Sequence, residues 1–110
     1  LRRNDGSTDR HSAGIVVAPD STTRYLARED VALEVVDRWT SPRGGTYPAR
    51  WRIEVAGLDA PLTIAPVLPD QELHGVVRYW EGAVDVLREG SPVGQGYVEL
   101  TGYAEDDGAD

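Results

Sequence analysis

The chain contains no cysteine, no methionine and no phenylalanine. Without cysteine there is no disulfide, no thiolate metal ligand and no thiol nucleophile, and the compartment stays open. The large apolar side chains are therefore Leu, Ile, Val, three Trp and five Tyr, a set that suits pleated, half-buried strands. Positive charge is scarce too: 11 Lys and Arg stand against 19 Asp and Glu, a formal charge of −8. Such a balance repels phosphate backbones and anionic membrane surfaces, so nucleic acid is not expected as a partner. No apolar run approaches the roughly 20 residues that span a bilayer. No basic-then-apolar segment opens the chain, and the N-terminus says nothing about export. A length of 110 residues predicts one domain.

What is present alternates. Residues 13–18 and 24–27 read as two short strands that pair across Pro19-Asp20-Ser21. In 31–39, Val31, Leu33, Val35 and Trp39 share one face while Glu34 and Arg38 share the other. Prolines and glycines make 41–48 a loop. Ala49, Trp51, Ile53 and Val55 then alternate with Arg50, Arg52 and Glu54, the cleanest half-buried strand in the chain. Residues 62–65 form a short strand, and 70–75 hold a bend or one helical turn. Two long β-rich stretches, 76–87 and 93–103, follow as a hairpin. Asn4-Asp5-Gly6-Ser7 has the composition of a tight turn, Leu1-Arg2-Arg3 reads as the end of a strand, and 104–110 is an acidic tail. About seven strands without a substantial helix predict an antiparallel barrel or sandwich over 1–103.

The long hairpin carries the candidate chemistry. A turn near Gly90 pairs residues whose numbers sum to about 180 or 182, so Glu81 falls opposite Glu99 or Thr101. Tyr79 and Glu81 then share a face with Tyr97, Glu99 and Tyr103. Were that face the interior, adjacent carboxylates would raise one pKa and supply a general acid. Were it outward, Trp80 and Val84 would fill the core and the glutamates would be solvated. Alternation leaves both open. Trp39, Trp51 and Trp80 are core fillers, ligand walls or both. His11 and His74 fall in predicted loops, far apart and without a carboxylate at metal-ligand spacing, so no metal is expected. No Gly-x-Ser-x-Gly elbow marks a serine nucleophile, and Gly94-x-Gly96 is too little for a phosphate loop. Arg50 and Arg52 flank Trp51 on the polar face, where a solvated ion pair with Glu54 or another acidic neighbour is the default.

Five words occur in order: Trp39-Thr40-Ser41-Pro42, Tyr47-Pro48-Ala49-Arg50-Trp51, Gln71-Glu72-Leu73, Tyr79-Trp80-Glu81-Gly82 and Gly96-Tyr97-Val98-Glu99-Leu100-Thr101-Gly102-Tyr103. Together they resemble the lipocalin-like family of carotenoid 1,2-hydratases (hydroxyneurosporene synthases) and AttH-like proteins, and more distantly the lipocalin-like Diels–Alderases. The resemblance implies two consecutive calycin-type barrels, with these words in the second. It further implies an upstream strand or companion chain that completes the sheet, with homodimerisation as another way to cover an open edge. For function it implies acid-assisted hydration or cyclisation of a polyene or polyketide without a cofactor, Glu81 acting as acid beside Tyr79. Trp39, Trp51, Trp80, Tyr97, Glu99 and Tyr103 would contact the substrate. A non-catalytic module that binds an apolar ligand or stabilises a partner barrel is the alternative.

Overall fold

The computed structural model describes residues 11–103. The turn expected at 4–7, the strand end at Leu1-Arg2-Arg3 and the acidic tail at 104–110 lie outside the described residues. Within them the chain is almost wholly strand, in the order β1 (Gly14–Val17), β2 (Thr23–Leu26), a 3-10 turn (Arg28–Asp30), β3 (Val31–Thr40), β4 (Thr46–Val55), β5 (Leu62–Pro66), β6 (Glu72–His74), β7 (Arg78–Arg88) and β8 (Ser91–Leu100). Every pairing is antiparallel. The all-β expectation holds.

β1 and β2 form a separate hairpin, tied to the rest where Arg24 donates to the Ala56 carbonyl. The main sheet runs β3-β4-β5-β7; β6 continues along β7 beyond the end of β5, and β8 covers the other edge of β7. The sheet curls strongly enough that Leu33 of β3 and Leu100 of β8 border one cleft. Its hydrogen bonds do not close into a ring among the described residues, where β3 and β8 each pair with a single neighbour.

Two segments differ from the sequence reading. β4 begins at Thr46, inside the stretch read as loop, so Tyr47 and Pro48 are buried strand residues. Pro48 is tolerated because it sits beside an irregularity in the β3–β4 ladder, where a missing N–H costs least. The stretch 70–75 contains the short strand β6 instead of a helical turn.

The gap between β5 and β6 is filled by a side chain. Gln71 accepts from the Ala83 N–H at 3.0 Å and donates to the Ala83 and Leu68 carbonyls, each at 3.1 Å. Its amide lies over Gly82, where any Cβ would overlap it. A glycine at this point of β7 lets the amide take the place of a neighbouring strand. Trp80 anchors the same segment by donating from Nε1 to the Pro69 carbonyl at 2.8 Å.

The β7–β8 hairpin turns at Glu89 and Gly90, both at positive φ, as a two-residue turn requires. Glu81 pairs with Glu99, the first of the two registers expected. Trp80, Gly82 and Val84 are buried while their alternates are less so, and Trp80, Val84 and Tyr47 form the core cluster. Trp39, Ile64, Val98, Leu100 and Tyr103 pack around it.

Candidate functional site

Two features of the curled face adjoin. One is a cleft of about 390 Å³ between β4, β5 and β8, walled by Leu33, Trp51, Ile53, Ile64, Val98 and Leu100, with Tyr103 at its margin. Alternation places these residues. On β4, positions 47, 49, 51 and 53 fall on the inward side while Arg50, Arg52 and Glu54 point out, and Arg52 pairs with Glu54 at 2.9 Å. The sequence reading of that strand holds.

The other feature is a buried carboxylate, Glu72. Tyr47 donates to its Oε2 at 2.5 Å; Ser41 Oγ and Arg43 Nε donate to Oε1 at 2.8 and 2.6 Å. Arg78 Nε lies 3.7 Å from Oε2 and His74 Nε2 3.3 Å from Oε1. Arg43 also grips Asp70 at 2.9 Å, and Arg78 donates to the Arg43 carbonyl at 2.6 Å. The β3–β4 loop, β6 and the start of β7 are thus joined through one side chain. Such pairing satisfies a charge that would otherwise be costly to bury.

Burial alone would raise the pKa of Glu72, but hydrogen bonds from Tyr47, Ser41, Arg43 and His74 outweigh it and hold the carboxyl at about 2. Tyr47 moves the other way. Burial, the hydrogen bond to Glu72 and that carboxylate's charge push its phenol up to about 12. The pair is therefore an ionised acceptor and a neutral donor across the ordinary pH range. It is not a proton-transfer couple near neutrality.

The structure brings four of the sequence candidates to this face. Trp51 is buried in the cleft wall, and Trp80 is in the core below. Trp39 stacks on Tyr47 with ring centroids 6.0 Å apart, and Tyr103 tilts against Tyr47 at 6.2 Å. Three of the others lie elsewhere. Tyr79 and Glu81 are half-buried on the β7 positions that alternate with Trp80 and Val84, and neither borders the cleft. Tyr97 is exposed; desolvation and then the adjoining Glu81 raise its pKa. Glu99 borders the cleft and is exposed.

Sequence reading missed Ser41, Arg43, Tyr47, Asp70, Glu72, His74 and Arg78 as one group. His74, expected in a loop, stands on β6, two residues from Glu72 on the same strand. A signal did exist, since Ser41, Tyr47 and Glu72 each lie in one of the five recognised words. Among the described residues no group of His, Asp and Glu could hold a metal ion, and no helix is long and apolar enough to cross a membrane.

No curated protein matches this sequence. A crystal structure of a candidate AttH protein from Nitrosomonas europaea is similar, with 33% identity and a TM-score of 0.79 over 94% of this chain. The match covers 33% of that protein, so the present chain spans about a third of its length. The AttH-like family profile matches residues 1–103. The chain belongs to the AttH-like family, with an antiparallel, lipocalin-like β fold.

Proposed function

We propose that this domain binds a neutral, apolar small molecule in the cleft between β4, β5 and β8. The observation that carries the reading is the cleft itself: about 390 Å³, walled mainly by aliphatic side chains and the rings of Trp51 and Tyr103, with Thr101 and Glu99 as its polar lining. That size lies within the roughly 300–1,000 Å³ usual for small-molecule sites. Glu99 at the border and a chain charge of −8 favour neutral over anionic ligands. Titration with a straight-chain alcohol, followed by tryptophan fluorescence, should give a saturable change that Trp51→Phe weakens. The fatty acid of equal length should bind less well. A signal that never saturates would remove the reading.

A second reading makes the domain an enzyme half for hydration or cyclisation of a polyene or polyketide. What favours it is the pairing of Glu81 with Glu99, with Tyr97 beside Glu81. Glu81 would be the acid and Tyr79 its neighbour, with Trp39, Trp51, Trp80, Tyr97, Glu99 and Tyr103 contacting substrate. Glu81→Gln should then abolish turnover of a polyene by the folded protein, and unchanged turnover would exclude Glu81 as the acid. A preceding lipocalin-like domain, a companion chain or a second copy would meet the sheet along β3 or β8, each with one strand neighbour among the described residues. Light scattering across a concentration series tests the second copy.

A further inference from the structure

The cleft ends against aromatic rings. Ile64, Val98, Leu100 and Tyr103 both border it and pack on the cluster of Tyr47, Trp80 and Val84, so that cluster lies at its floor. Along β4 the inward positions run Ile53, Trp51, Ala49, Tyr47, and Tyr47 stands four residues beyond Trp51, about 13 Å at strand rise. Tyr103 stands between the cleft and Tyr47. It borders the one and leans on the other at 6.2 Å, after Gly102, at a φ of 83°, bends the chain past the end of β8.

This floor is held in place. The Tyr47 ring is fully buried, stacked on Trp39, and its hydroxyl is fixed on Glu72 at 2.5 Å. Beyond Tyr47 an advancing apolar chain would meet an ionised carboxylate with Ser41, Arg43 and Arg78 around it. Displacing those bonds for a hydrocarbon is unfavourable.

We propose that Tyr103, backed by the ring of Tyr47, is the stop that sets how long an apolar chain the cleft accepts. The inference rests on the cleft being a ligand site. The two are separated by titrating the parent and its variants with a homologous series of straight-chain alcohols. In the parent, affinity rises with each methylene to a limiting length and then levels off or falls. Tyr103→Leu moves the limit outward, so that an alcohol two methylenes past the parent's limit binds about tenfold tighter than to the parent. Tyr47→Leu does the same, while Tyr47→Phe, which keeps the ring, keeps the parental limit. A merely structural tyrosine would change the melting temperature and leave the limit where it was. Tyr103→Leu lies at the margin of the core, so it carries the test if Tyr47→Leu fails to fold. A folded Tyr103→Leu protein with the parental limit, a parent without a limiting length, or a Tyr47→Phe protein with a shifted limit would overturn the stop alone. A parent that binds none of the alcohols overturns the stop and the ligand site together.

Discussion

The hydroxyl of Tyr47 donates to Oε2 of Glu72 at 2.5 Å, and this bond joins the strand that walls the cleft to the most thoroughly buried charge among the described residues. Twenty-five positions separate the two residues, so the bond ties β4 to β6, which are not hydrogen-bonded neighbours in the sheet. Tyr47→Phe removes one donor from a buried carboxylate and retains the ring. The expected loss is about 1.5–3 kcal/mol, the usual worth of a hydrogen bond to a charged group. Chemical denaturation measures it. A change within error would mean that Ser41, Arg43, His74 and Arg78 suffice for Glu72.

Glu72 makes stability depend on acid. Its folded pKa of about 2 lies below the ordinary value of 4.5, so the native state favours the ionised form. The contribution is complete above pH 4.5 and is lost as pH falls toward 2. Melting temperature should drop across that window. Glu72→Gln should be less stable at neutral pH, because Arg43 and Arg78 lose their counter-charge. It should also show a shallower acid limb, and an acid limb unchanged in Glu72→Gln would place the titrating groups elsewhere.

Tyr47 governs the alkaline side. Its phenol is raised from 10.0 to about 12, so the native state holds this proton more tightly than the unfolded chain does. Stability from this source is complete below pH 10 and disappears as pH rises through 12. Ultraviolet difference titration should find one of the five tyrosines ionising late, and Tyr47→Phe should delete that phase.

Gly82 and Gln71 form a coupled pair. Gly82→Ala would put a methyl group into the Gln71 amide and break its bonds to Ala83 and Leu68, at a cost of about 1–3 kcal/mol. Gln71→Ala loses the same bonds but clears the space. The double variant should therefore cost less than the sum of the singles, by an amount a double-mutant cycle reads directly. Strict additivity would show that the amide does not lie over Gly82.

The strands were written in the sequence because alternation is a local property. Val31, Leu33 and Val35 against Glu34, and Trp51 and Ile53 against Arg52 and Glu54, need only the two-residue period of a pleated backbone to declare a buried face. The β7–β8 register was legible only in part: a two-residue turn at Glu89-Gly90 pairs Arg88 with Ser91 and by itself would set Glu81 opposite Val98, and the irregularity between Val86 and Leu87 shifts the ladder by one residue so that Glu81 meets Glu99. Which face of β7 turns inward was not legible, because alternation defines two faces and names neither. Packing decides it, through Trp80 reaching Pro69, Gly82 admitting Gln71 and Val84 meeting Tyr47 and Trp80 in the core. The Glu72 network could not be read from periodicity for a stronger reason. Three of its donors, Ser41, Arg43 and Tyr47, lie 25 to 31 positions away on another strand and its loop, in a stretch rich in proline and glycine where no period exists to be read. Only the curl of the sheet, which carries the β3–β4 loop onto β6, puts those charges within hydrogen-bonding distance of one another.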